Sequence, residues 1–146
     1  MINSDYYNLK RFIKAQDDDY DRALREIKNG RKISHWIWYI FPQLDTLGHS
    51  AMSEFYGIKD IAEAKAYLNN EILREHLISI SEALYELNNN IVNIFGYTDS
   101  IKVRSCMTLF HSADPSIEIF KKVIDKFYDG EFDNLTINKL KNGKNW

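Results

Sequence analysis

A chain of 146 residues, 45% apolar and 14% aromatic, has the material for one hydrophobic core and argues against disorder; it predicts a single domain over residues 1–146. A net charge of -2 with no dense basic stripe gives no strong nucleic-acid signal. The most basic stretch, Lys28-Asn29-Gly30-Arg31-Lys32, reads as a solvated turn that could at most dock one anionic ligand.

In chain order, Leu9, Phe12, Ile13 and Gln16 share one helical face over residues 6–16, and Tyr20, Ala23, Leu24 and Ile27 repeat the pattern. Between them, Asp17, Asp18 and Asp19 either open a second helix or lie on the wet side of one long helix. As adjacent helix positions they point three ways, which suits a solvated face better than a metal site. Asn29-Gly30 supplies the stop. Residues 34–41 read as a short buried helix, with Ser34 as its cap and Pro42 as its end. Their bulky side chains suit a strand by propensity, but the chain offers no strong second strand to pair with.

Ser50 is placed to cap a short helix that Gly57 interrupts, and Asp60 one through Leu68 that Asn69-Asn70 ends. Leu73, Leu77, Ile80, Leu84 and Leu87 put a longer helix over residues 71–87, broken by Asn88-Asn89-Asn90. Thr98 or Asp99 caps a helix to Phe110. Asp114-Pro115 opens another through Phe127 that Gly130 terminates, and residues 134–141 form a last short one. Residues 143–146 are expected to fray. The architecture these segments predict is all-α, a single-domain irregular bundle of about six to eight helices.

The lone Cys106 has no disulfide partner and falls on the apolar side of its helix, which predicts a buried, inert thiol in a reducing compartment. A polar N-terminus without a secretory apolar stretch, and no run of membrane-spanning length, make the expected location cytoplasmic, with no membrane partner. His49, His76 and His111 match no zinc spacing, and no Walker or dinucleotide glycine fingerprint is present, so neither a metal nor a cofactor is expected.

Two stretches depart from plain core-building. The first runs from Arg31 to Gln43 and holds His35, Trp36, Trp38 and Gln43. An imidazole titrates near neutrality, an indole stacks on rings, and an amide reads a polar edge. The competing reading is a buried aromatic cluster. The second runs from Asp99 to Phe110, where Arg104, Ser105 and Thr108 share a helix face as an anion cradle or as an ordinary exposed surface. Ser105 is a poor hydrolytic nucleophile, since no glycine elbow surrounds it.

These residues carry a resemblance. Arg31-Lys32-x-Ser34-His35-Trp36-x-Trp38-x-Ile40-Phe41-Pro42-Gln43, then Leu47-Gly48-x-Ser50, Tyr56-Gly57-Ile58, Glu63-Ala64-x-Ala66-Tyr67-Leu68 and Lys102-x-Arg104-Ser105-x-Met107-Thr108-Leu109-Phe110 closely resemble the domain-of-unknown-function 1810 family. The resemblance extends from Leu9-x-Arg11-Phe12 to Phe132-Asp133-x-x-Thr136. It implies an all-helical single domain and no assigned activity. Some relatives carry a calpastatin label, which this aromatic-rich sequence does not support. The family usually shows two serines where this chain has Ser105-Cys106.

The sharper hypothesis is that both stretches meet at one pocket for a small anionic, ring-bearing ligand such as a nucleotide or ADP-ribose derivative. His35 would be the proton carrier, Trp36 and Trp38 the stacking platform, and Arg104, Ser105 and Thr108 the anion cradle. Lys32, Gln43 and Lys102 would be further ligand contacts. Hydrolysis is one use of such a site. The rivals are a protein-interaction module, which requires an exposed Trp36 or Trp38 on a flat apolar patch, and a purely structural buried network.

Overall fold

The structure, a computed structural model, describes residues 5–47 and 49–143; the side chains of Thr46 and Gly143 are outside the description. Nine α-helices occupy the described residues: α1 Lys10–Lys28, α2 Ile37–Ile40, α3 Ala51–Tyr56, α4 Ile61–Asn69, α5 Glu71–Tyr85, α6 Ile91–Phe95, α7 Tyr97–Ala113, α8 Glu118–Phe127 and α9 Asn134–Gly143. A 3-10 turn, Asp45–Leu47, follows α2. None of the helices is long and apolar enough to cross a membrane.

Helix α7 is the centre, packed against α4, α6, α8 and α9, while α1 lies against α5 and α2. Four rings form a chain through the core: Phe12 to Tyr67 at 5.2 Å, Tyr67 to Phe110 at 4.9 Å, and Phe110 to Phe120 at 6.2 Å. One ring comes from each of α1, α4, α7 and α8, so the pairs tie four helices together. Burying each side chain of this size contributes roughly 1.5–3 kcal/mol.

The first two periodic segments are one helix. Asp17 and Asp18 are exposed on it, and Asp19 is half-buried, accepting a hydrogen bond from the Tyr39 hydroxyl. Its end has the double hydrogen bond of a Schellman stop: Gly30 N–H donates to Ile27 O and Arg31 N–H to Glu26 O, with Gly30 at φ 89°. Ser50 and Asp60 cap α3 and α4, accepting from Ser53 N at 3.1 Å and Glu63 N at 2.9 Å. Asn70 ends α4 and also caps α5 through Leu73 N.

Other boundaries move for identifiable reasons. The expected helix over residues 34–41 shrinks to the single turn of α2, because Ser34 spends its hydroxyl on Glu26 rather than on a cap. Helix α5 stops at Tyr85, and Asn90 then caps the short α6, which periodicity over so few residues does not reveal. Neither Thr98 nor Asp99 caps α7; Gly96, at φ 81°, closes α6 and opens α7 in one residue. Asp114 is tied up in a turn with Ser116, so α8 starts at Glu118 rather than at Pro115. Residues 144–146 of the expected frayed tail lie outside the described residues.

Candidate functional site

The segment after α1 is held by one carboxylate. Glu26 Oε1 accepts from Ile33 N at 2.7 Å, Ser34 N at 2.9 Å and Trp36 Nε1 at 2.9 Å, and Oε2 accepts from Ser34 Oγ at 2.6 Å. Trp36 is thereby sealed in the core between Phe41 and Phe95. Its indole therefore offers no face for stacking a ligand, contrary to the sequence expectation. Burial alone would raise the Glu26 pKa, but the donations from Ser34, Ile33 and Trp36 outweigh it and hold the carboxyl at about 2.

Two residues further along the one-turn α2, Trp38 points elsewhere. It is half-buried, and the Lys102 ammonium sits 5.3 Å from its ring centroid. Asp99 joins the two signature stretches: its carboxylate binds Lys32 Nζ at 2.9 Å and lies 3.7 Å from Lys102 Nζ. Lys32 in turn lies over Trp36, 5.1 Å from its centroid. Lys32 is thus committed to an ion pair, whereas Lys102 has no partner within hydrogen-bonding distance among the described residues.

Downstream, an isolated parallel bridge pairs Leu44 with Ile58, with Ile58 N–H donating to Gln43 O and Asp45 N–H to Ile58 O, both at 2.9 Å. This requires backbone contact at Gly57, where an added Cβ would sit 2.2 Å from Asp45 Cβ and 2.3 Å from its Cα. The glycine of Tyr56-Gly57-Ile58 is there to let two chains touch.

Two clefts adjoin where Trp38, Gln43 and Lys102 meet. The smaller, a cavity of about 10 Å³, lies between Trp38 and the α3 end, with Ser53, Tyr56 and Gly57 on its far wall. The larger, about 210 Å³, opens between the Gln43–Leu47 stretch and the α7–α9 face, where Thr98, Ile101, Ser105 and Leu135 line it. Gln43 and Lys102 belong to both.

The remaining expected site residues divide by helix face. Ser105 lines the larger cleft, although it is almost buried and donates its hydroxyl to Ile101 O at 3.2 Å. Arg104 lies outside both clefts: Nε donates to Glu131 O at 2.8 Å and the guanidinium lies over Tyr128. Thr108 is fully buried, donating to Arg104 O at 2.8 Å and accepting from Asp133 N at 2.9 Å. Arg104 and Thr108 therefore anchor the chain around residues 131–133 instead of cradling an anion. Replacing Thr108 by valine is expected to cost about 1–3 kcal/mol, because it strands the Asp133 N–H. Denaturant titration would measure this, with ligand affinity unchanged.

His35 is exposed and lines neither cleft; its backbone oxygen accepts from Tyr39 OH at 3.4 Å. The other histidines are dispersed. His49 is exposed, His76 bonds Gln16 Oε1 at 2.8 Å, and His111 stacks on Phe132. No group of three or more metal-ligating side chains occurs among the described residues. Cys106 is fully buried, burial pushes its thiol pKa well up and it lines neither cleft, so it serves packing.

Sequence reasoning passed over Glu26, Asp99 as a linker, and the Ser53–Tyr56 wall. Glu26 carried a usable signal, an acid set between Ala23 and Ile27 on the apolar side of an amphipathic helix. The other two carried none.

The fold and clefts define a small all-helical domain with a groove whose apolar side chains, Leu47, Ile101 and Leu135, are accompanied by two charged ones, Lys102 and Asp133. The chain belongs to the family described as protein of unknown function (DUF1810), which matches residues 6–140. It is similar in structure to the conserved hypothetical protein Rv1873 from Mycobacterium tuberculosis, with a TM-score of 0.90 and 37% identity over 92% of this chain and 96% of that one. Comparison with the curated proteins finds no match.

Proposed function

We propose that this protein binds a small anionic, ring-bearing ligand in the paired clefts between residues 38–47 and α7. The observation that carries this reading is the sharing of Gln43 and Lys102 by two adjoining clefts at the Trp38 indole. The larger cleft gives a flat apolar ligand Ile101 and Leu135 to pack on, and Lys102 gives an anion its counter-charge. Its 210 Å³ is below the roughly 300–1,000 Å³ of a drug-sized site, which favours one ring with one anionic group. Within the nucleotide class, a mononucleotide fits this size better than a whole ADP-ribose. His35 stands away from the clefts, so this reading is of binding and not of hydrolysis. Cytoplasmic location belongs to the same reading and rests on the lone buried thiol of Cys106.

Calorimetric titration and thermal shift with AMP, ADP and ADP-ribose test it. AMP is expected to bind, Lys102→Ala and Gln43→Ala to weaken it at least tenfold, and His35→Ala and Arg104→Ala to leave it within about twofold. Binding that survives Lys102→Ala, or that depends on His35, would place the ligand elsewhere.

The alternative, an interaction module without catalysis, draws on the exposed Ile101 and Leu135 at the larger cleft. Against it, Trp36 is buried and Trp38 half-buried, so neither supplies the exposed aromatic anchor that such a surface uses.

A further inference from the structure

We infer that the small cavity beneath Trp38 is a socket for a single anionic oxygen of the ligand, an inference that rests on the cleft reading above and specifies its polar end. The polar groups around the cavity include one buried donor without an acceptor, beside side chains that have donors to spare. Trp38 Nε1 is buried with no hydrogen-bond partner among the described residues. Ser53 Oγ accepts from Ser50 Oγ at 3.0 Å, and its own proton is donated to no described residue. The Gln43 amide and the Tyr56 hydroxyl make no side-chain hydrogen bond to described residues, and Lys102 is 3.7 Å from its nearest carboxylate oxygen. No carboxylate lines the cavity.

Size and surroundings then select the occupant. A cavity of about 10 Å³ holds one oxygen-sized atom. A water there would accept from Trp38 and Lys102, but must also place two protons of its own, on the Gln43 side-chain carbonyl, a hydroxyl or a backbone carbonyl at the end of α3. An oxygen of a carboxylate or phosphate only accepts, so it satisfies the indole, ammonium and hydroxyl donors without that second demand. Ile37, Phe41 and Gly57 complete the wall with groups that bring no competing side-chain polarity, which strengthens each charge-assisted bond. The rest of the ligand then extends past Gln43 and Lys102 into the larger cleft.

The indole N–H resonances of the nitrogen-15-labelled protein report on this directly. The chain has three tryptophans, and Trp38→Phe assigns the relevant signal. Titration uses AMP, adenosine, acetate and inorganic phosphate. The Trp38 indole proton is expected to move downfield saturably with AMP and with the simple anion that matches the socket, and not with adenosine. The Trp36 signal, held by Glu26, is expected to stay in place. Acetate and phosphate separate a carboxylate preference from a phosphoryl one. Trp38→Phe, which keeps a ring and removes the donor, is expected to weaken AMP about tenfold. If AMP binds by calorimetry while the Trp38 signal stays still, the socket is wrong and the cleft reading stands. A Trp38 shift with acetate or phosphate but no AMP binding supports the socket and removes the nucleotide reading. No shift with any probe and no binding overturns both.

Discussion

Replacement of Arg11 by alanine is expected to lower the folding free energy by about 3–5 kcal/mol, the usual cost of stripping one partner from a buried ion pair. All five guanidinium N–H groups are used. Nε donates to Phe55 O at 2.8 Å; Nη1 to Tyr7 O and Asn8 O at 2.7 and 3.0 Å; Nη2 to Gly57 O at 2.9 Å and Glu63 Oε2 at 2.8 Å. Glu63 is itself fully buried, its other oxygen accepting from Lys59 N at 2.9 Å. Alanine therefore leaves a buried carboxylate without its cation and four carbonyls without this donor. For a chain of this length the loss corresponds to a fall in Tm of roughly 10 °C. Arg11→Lys is expected to recover little, because an ammonium has three donors and no planar fork. A paired Arg11→Met, Glu63→Leu variant is expected to be more stable than either single change, since it removes both charges together. Urea denaturation of the wild type and these variants measures this. A loss under 1 kcal/mol for Arg11→Ala would mean that Glu63 finds another partner. The same hub carries the Gly57 carbonyl, so its loss is expected to loosen the bridge that positions Gln43.

How far the sequence discloses all this depends on what each signal encodes. Apolar spacing reports which face of a helix is buried, and the stripes through Phe12, Phe110 and Phe120 were legible because each lies in a helix long enough to show a period. Caps were legible where nothing competes for the side chain, as at Ser50 and Asp60. At Ser34 the inference failed, because a buried acid eight residues earlier outbid the helix for the hydroxyl. The site was partly legible for a geometric reason. Lys102 and Ser105, three apart, share a face of α7 and reach the cleft, whereas Arg104 is turned about 200° from Lys102 and reaches Tyr128 and Glu131. Trp36 precedes α2 with a non-helical backbone while Trp38 lies within it, so one enters the core and the other borders the clefts. Residue type marked both as unusual; only tertiary packing assigns their roles. The polar members of the family signature thus divide between fold and cleft. Ser34, Arg104 and Thr108 hold chain segments in place, Ser34 through Glu26 outside the signature, while Gln43 and Lys102 remain available at a surface.

The acid limb of the stability curve is expected to depend on Glu26. Its folded pKa of about 2 lies below the ordinary 4.5, so the native state holds its proton less tightly than the unfolded chain does. The resulting stabilisation is fully present above about pH 4.5, falls as the pH drops from there toward 2, and is gone below that. The span of about 2.5 units is worth about 3 kcal/mol. Glu26→Ala is expected to lose at least this much at pH 7, because it leaves two backbone N–H groups, a hydroxyl and the buried Trp36 indole unsatisfied. Glu26→Gln separates charge from shape. Three of the four donors converge on Oε1, which a glutamine carbonyl replaces, and the fourth is a hydroxyl that can accept from the amide instead. The glutamine variant is therefore expected to be less destabilised than alanine at pH 7 and to lose less stability than the wild type between pH 5 and 2.5. Urea unfolding at several pH values, followed by tryptophan fluorescence, measures both slopes. Equal acid sensitivity in the wild type and Glu26→Gln would show that folding leaves the Glu26 pKa unchanged, its four hydrogen bonds doing no more than offset its burial.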